Sequence, residues 1–369
     1  MRFLLFVFLG LSFQSQAQEF YLFAGTYTGS GSKGIYVYRF NAATGTAEAV
    51  SSTDSSNNPS YLAIAPDGQH VYAVNETGGD QPGSVSAYAF DRTSGQLTFL
   101  NSQPTGGDHP CYISVDRTGK WAVVANYTGG NLSAFTINDD GTLQPYAQLE
   151  QHTGSSANKE RQEKAHVHAA VFSPDQKFLF SPDLGMDKLT VYQFDKSAKE
   201  PLQPAAVPFV KSTPGNGPRH FTFSPNQKFA YLVEELSGTV AAFAYKNGKL
   251  TFLQRTTTHP AGYKGAKGSA DIHLSPDGKF LYVSNRGDAN SIAVFSVAAT
   301  GKLQLKGIQS TLGEHPRNFI IDPTGKYLLV ANRDSDAVVI FKRNAATGLL
   351  RDTGKRIQVP KPVCLQMLK

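Results

Sequence analysis

The sequence predicts an all-β fold: a seven-bladed β-propeller of four-stranded blades, its ring closed by the C-terminal strand joining the N-terminal blade. Three observations carry this. The first is a repeated phrase: an inner strand, a Pro-Asp-Gly-like turn, and a second apolar strand ending in Asn, Asp or Glu. The copies read SYLAIAPDGQHVYAVNE, CYISVDRTGKWAVVANY, HAAVFSPDQKFLFSPDL, RHFTFSPNQKFAYLVEE, ADIHLSPDGKFLYVSNR and RNFIIDPTGKYLLVANR. Their turn anchors, Pro66, Arg117, Pro174, Pro225, Pro276 and Pro323, are 51, 57, 51, 51 and 47 residues apart, the period of a propeller blade. The second is that the copies run on into two alternating strands joined by Asn-Gly, Asp-Gly or Thr-Gly, as in TVAAFAYKNGKLTFL. The third is composition: 40% hydrophobic and only 17% charged residues, with 34 Gly and 20 Pro to punctuate tight turns. No segment keeps a helical period.

In chain order, Met1-Arg2, the apolar FLLFVFLGL and Ser15-Gln16-Ala17 read as a signal peptide over residues 1–17. Cleavage near Ala17 would export the remainder to the periplasm or beyond. The apolar stretch is well short of the roughly 20 residues that span a bilayer, so no membrane span is expected. FYLFAGTYTGSGSKGIYVYRFNAATG then reads as a blade lacking its first strand, and after six whole copies KPVCLQMLK supplies it. Closure removes the sheet edges that would recruit other chains. Residues 18–369 therefore read as one domain, although length alone suggests two or three of about 150 residues. Cys111 and Cys364 lie on the inner strands of blades separated by one blade, beyond disulfide reach, and read as small packing residues.

The net charge is +6 and the pI about 9.1. The basic residues are scattered over many turns without a run or interleaved aromatics, which argues against nucleic acid and for mild attraction of small anions. A monomer is expected.

The repeat register also assembles a site. If the Pro-Asp-Gly turns lie at one face, the start of each first strand meets the end of each second strand at the other. The first position reads Ser60, Cys111, His168, Arg219, Ala270, Arg317 and Val363. The second reads Glu76, Tyr127, Leu184, Glu235, Arg286 and Arg333, with Thr26 in the split blade. One mouth is thus rich in His, Arg and Glu. The residues just before the second position, Asn75, Asn126, Asp183, Glu234, Asn285 and Asn332, are regular enough to suggest a structural task for the asparagines. Asp183 stays among the binding candidates, and register favours Glu235 over Glu234 as the chemical carboxylate.

His166 and His168 form a His-x-His pair expected on a strand, with both rings on one side. Such a pair can bind substrate, serve as acid or base, or ligate zinc, but no third ligand has a telling spacing. No metal and no cofactor are expected. His220 and His273 lie on inner strands where they could pack or bind. Arg219, Arg286 and Arg317 at equivalent blade ends suit a carboxylate or phosphate.

The runs RQEKAHVHAAVFSPDQKFLFSPDLGMDKLTVY, GNGPRHFTFSPNQKFAYLVEELSGTV, DIHLSPDGKFLYVSNRGDANSIAVF and GEHPRNFIIDPTGKYLLVANR resemble the seven-bladed lactonase family. That family includes propeller-type 6-phosphogluconolactonases and the fungal carboxy-muconate lactonizing enzyme. The resemblance covers essentially the whole exported chain. It matches at His166 and His168, at Gly217 to His220, at Glu235-Leu236 and at Asn285 to Gly287. By resemblance to the muconate enzyme, chemistry falls to His168, Glu235, Arg219 and Arg286. Where relatives commonly have Asn-Glu-Leu, this chain has Glu234-Glu235-Leu236.

The expectation is a lactonase acting on a sugar or anionic lactone. Glu235 activates water, Arg286 and Arg219 stabilise the oxyanion, and His168 returns the proton. Arg219, His220, His166, Asp183 and Arg317 bind substrate. No G-x-S-x-G elbow is present, which argues against a covalent acyl route. The alternatives are a non-catalytic exported propeller that binds a ligand or partner, and a lactone-forming cycloisomerase.

Overall fold

The computed structural model describes residues 18–29 and 31–368; the signal peptide expected over residues 1–17 lies outside them. The chain builds seven four-stranded antiparallel sheets, and the only helical element among the described residues is one turn of 3-10 helix at Arg333–Ser335. Numbered by their inner strands, blades 1 to 6 begin at Pro59–Ile64, Pro110–Val115, Val171–Phe172, Pro218–Phe223, Ser269–Leu274 and Pro316–Ile321. Blade 7 is split as expected. The C-terminal strand Pro362–Leu368 pairs with Glu19–Thr26, and Ile35–Asn41 and Thr46–Thr53 complete that sheet. Pro362–Leu368 also contacts the inner strands of blades 6 and 1, so the ring closes.

Apolar clusters between neighbouring blades hold the ring together. Phe180 of blade 3, for example, stacks on Phe221 of blade 4 with centroids 5.3 Å apart. A recurring polar link accompanies them. The phenols of Tyr72, Tyr231 and Tyr282 donate to the carbonyls of Gly141, Gly301 and Gly348, each in the next blade's hairpin, at 3.0, 3.1 and 2.8 Å. Gly301 shows why the hairpin residue is glycine: its φ is +80°, and a Cβ there would sit 2.2 Å from the ring of Phe229.

The asparagines at the ends of the second strands are scaffold. Asn126, Asn285 and Asn332 donate to the carbonyls of Thr105, Thr258 and Thr311, on the segments entering their blades. Their bonds thus reach a crossover segment and not only their own turn. At the same place in blade 4, fully buried Glu234 takes a two-pronged contact from Arg255, at 2.8 and 3.0 Å, and bonds from Asn216 and Ser212.

Candidate active site

The mouth is built by a bulge in every blade except blade 3, whose inner strand is reduced to Val171–Phe172. In blade 4 the ladder pairs Pro218 with Glu234 and then His220 with Val233, which leaves Arg219 as an extra residue. Ser60, Cys111, Arg317 and Val363 are skipped in the same way. A bulge bends its strand and re-aims the extra side chain, here toward the mouth. The residues two positions earlier prepare it: Asn58, His109, Gly217, His315 and Lys361 all have left-handed φ, between +44° and +68°.

The carbonyls at these positions, and that of Gly268 in blade 5, receive the backbone N–H of the second-slot residue. Glu76 bonds Asn58, Tyr127 bonds His109, Glu235 bonds Gly217, Arg286 bonds Gly268, and Tyr27 bonds Lys361. The split blade's slot is therefore Tyr27 and not Thr26, whose hydroxyl is buried against the carbonyl of Gly34 at 2.6 Å. His166 and His168 also depart from expectation. The only ladder contact on their segment is an isolated bridge between Val167 and Asp183, so they do not lie on a regular strand.

Glu235 sits where three guanidinium groups meet. Its Oε2 is 3.0 Å from Nε of Arg219 and 2.8 Å from Nη2 of Arg286, and its Oε1 is 2.8 Å from Nη2 of Arg161. Burial alone would raise the carboxyl pKa, but Arg286, Arg219 and Arg161 overcome it and hold the group far below the usual carboxylate range. Arg219 is wholly enclosed. Burial, with Arg286 and Arg317 nearby, brings it down to about 10, which leaves it charged at neutral pH.

Behind Arg219 a polar chain runs into the ring. Its Nη1 meets the carbonyl of Ala270 at 2.7 Å and Nε2 of His220 at 3.2 Å. Nδ1 of His220 lies 2.8 Å from Oδ1 of Asp271. The other oxygen of Asp271 accepts from Nε2 of His273 at 2.9 Å and from Nδ2 of Asn318 at 2.6 Å. Burial would raise Asp271, but the neighbouring His273 and His220 hold its pKa well below the usual range. An ionised acceptor there requires a proton on Nδ1 of His220 and leaves the Nε2 lone pair toward Arg219. Burial and Arg219 push His220 down to about 4, which agrees with that tautomer.

His168, Tyr127 and Cys111 close another side. Tyr127 stacks on His166 at 4.5 Å and meets His168 edge-on at 5.2 Å, so both histidines face the same tyrosine. His168 lies 5.4 Å from the ring of His220, and its Nδ1 is 3.6 Å from Sγ of Cys111. Burial, followed by Arg219, His220 and Arg317, pushes His168 well below its ordinary value and keeps it neutral. Cys111 is therefore more than packing: it touches a candidate site residue. Both cysteines are free and buried. Across the mouth, Arg317 pairs with Oε2 of Glu76 at 3.2 Å, and the same oxygen accepts from the Tyr27 phenol at 2.9 Å.

The structure thus brings Glu235, Arg219, Arg286, His220, His168 and His166 together, with Arg317 on a second ion pair. It does not bring Asp183 into this group. That carboxylate is fully enclosed, 2.8 Å from Nδ1 of His152, and accepts from the backbone N–H of His166 at 2.9 Å and of Met186 at 3.0 Å. Arg161, Asp271 and Tyr27 were not among the candidates. Asp271 adjoins Ala270 of the first slot and Tyr27 adjoins Thr26, so each lay one residue from a position under consideration. Arg161 belongs to the segment that stretches one repeat interval to 57 residues. Among the described residues, no group of three or more His, Cys, Asp or Glu is placed to hold a metal ion. No helix among them is long and apolar enough to cross a membrane.

Residues 21–367 match the model of the family described as lactonase, 7-bladed beta-propeller. The chain belongs to this lactonase family. A relative in Formosa agariphila named 6-phosphogluconolactonase is 40% identical, covering 94% of this chain and 99% of its own. Among solved structures, a putative 6-phosphogluconolactonase from Bacteroides fragilis is 46% identical with TM-score 0.91, over 95% of this chain and 98% of that one. The periplasmic gluconolactonase of Pseudomonas aeruginosa is 41% identical with TM-score 0.91, over 95% and 99%. These lactonases match along nearly their whole lengths, so the bulged mouth falls inside the shared region.

Proposed function

We propose that this chain is a lactonase that hydrolyses a sugar lactone by attack of water on the ring ester, and that it works outside the cytoplasm. The observation that carries the chemistry is the meeting of Glu235 with Arg219 and Arg286 at one mouth, within a cluster that includes neutral His168. Ester hydrolysis needs an activated water, a site for the developing oxyanion and a proton for the leaving alkoxide. Glu235 takes the proton from water. Arg286 and Arg219 receive the oxyanion, and as the ring C–O bond breaks the proton taken up by Glu235 passes by way of His168 to the ring oxygen, which returns both groups to their starting states. His166, His220 and Arg317 line the substrate's path, while Asp183 serves indirectly by fixing the backbone of His166. Export rests on the sequence of residues 1–17, and the similarity to a periplasmic gluconolactonase supports it.

The test is hydrolysis of glucono-δ-lactone and of its 6-phosphate in water enriched in heavy oxygen. The proposal expects acid release above the uncatalysed rate, with one solvent oxygen in the product carboxylate. Isomerisation without solvent oxygen, or no acid release from either lactone, would refute it.

A further inference from the structure

The three arginines on Glu235 are not equivalent. Arg219 is 1% exposed and Arg286 12%, and each is also tied to a backbone carbonyl, Ala270 at 2.7 Å and Gly268 at 3.1 Å. Arg161 comes from the connection between blades 2 and 3, and its side chain is 44% exposed. Among the described residues its guanidinium bonds Glu235 and, at 3.2 Å, the phenol of Tyr127. Its backbone is nevertheless fixed. The next residue, Gln162, is fully buried and donates to the carbonyl of Leu184 at 2.8 Å and to Asp187 at 2.7 Å. An anchored backbone thus carries a side chain that can turn away without breaking the ring.

This arrangement bears on the proposed chemistry. A carboxylate shared by three guanidinium groups is a weak base, and an imidazole held neutral beside arginines is a weak acid. The arginines contribute to both deficits: they hold Glu235 down, and at His168 they add to the larger effect of burial. Four guanidinium groups, those of Arg161, Arg219, Arg286 and Arg317, face two carboxylates at the mouth, Glu235 and Glu76; Asp271 lies behind Arg219 through His220, and half-exposed Glu163 meets His166 at 3.0 Å, so the excess is concentrated on Glu235, which alone meets three of the four. An anionic group arriving with the substrate offsets that excess. It raises the basicity of Glu235 and the proton affinity of His168 together.

We propose that Arg161 is a specificity-determining residue that leaves Glu235 to pair with an anionic group of the substrate, remote from the lactone ester, and thereby releases Glu235 for catalysis. This rests on the reading of Glu235 as the base. The substrate class it selects is a lactone carrying a phosphate or carboxylate substituent, for which a guanidinium fork is well matched.

The experiment compares the wild type, Arg161→Gln, Arg161→Lys and Glu235→Gln on 6-phosphoglucono-δ-lactone and glucono-δ-lactone across pH. The wild type is expected to prefer the phosphorylated lactone by about tenfold or more in kcat/KM. Arg161→Gln should lose about tenfold or more on that lactone but gain about threefold or more on the neutral one, where nothing else draws Arg161 off Glu235, with Arg161→Lys in between. On the neutral lactone, the acid limb of the Arg161→Gln profile should move to higher pH, because one cation has been removed from Glu235. Equal losses on both lactones, or no wild-type preference, would overturn the proposal while Glu235→Gln remained inactive. Full activity of Glu235→Gln would instead remove the base assignment on which it rests.

Discussion

Arg219 and His220 are consecutive residues, yet Nη1 of the first lies 3.2 Å from Nε2 of the second. On a regular strand they would point to opposite faces. The bulge at Arg219 cancels that alternation and joins two parts of the protein, the charged mouth around Glu235 and the buried chain that ends at Asp271.

Asp271 is the keystone of that chain. It accepts from His220, His273, Asn318 and the backbone N–H of Ile272 and Phe319. Asp271→Asn turns an amide NH₂ toward donors and removes a buried negative charge. The expected cost is about 3–5 kcal/mol of stability, read from urea denaturation. A midpoint equal to wild type would contradict the assignment.

Stability should also fall on mild acidification. Unfolded His220 takes up its proton near pH 6.5, whereas the folded residue resists until about pH 4. Between those values the unfolded state binds more protons, so stability rises with pH there and is lost as pH falls. The shift corresponds to about 3 kcal/mol at pH 4. Asp271, depressed on folding, loses its contribution in the same direction at still lower pH. His273, raised by Asp271 against its own burial, opposes this and offsets part of it. Denaturation midpoints from pH 7.5 down to 4.5 check the slope, which should be flatter in His220→Asn.

Arg286 makes two directional contacts, Nη2 to Glu235 at 2.8 Å and Nε to the carbonyl of Gly268 at 3.1 Å. Lysine keeps the charge but cannot hold both. Arg286→Lys should lower kcat about 100-fold with a smaller change in KM, since an oxyanion contact acts mainly in the transition state. A kcat within about fivefold of wild type would place Arg286 outside the chemistry.

Much of this arrangement was legible in the residues. The turn anchors and glycine hairpins are local signals, and their recurrence at intervals of 47 to 57 residues is enough to lay out seven blades. Register alone also separates Glu234 from Glu235, because successive positions at a strand end face different ways. The bulges were not legible: a bulge is a mismatch between two strands, and neither strand encodes it alone. That is why the split blade's slot slips from Thr26 to Tyr27. Arg161 was hidden for another reason. It lies on the stretched interval, where a repeat offers no aligned neighbour. Asp183 was misleading because its carboxylate satisfies His152 and two backbone N–H groups inside the blade.

Water activation by Glu235 is the step on which the proposed chemistry depends most. Its measurement is the kcat of Glu235→Gln on 6-phosphoglucono-δ-lactone near pH 7, with folding verified by thermal melting. A fall of about 100-fold or more is expected. A folded Glu235→Gln protein that turns over at the wild-type rate would contradict it.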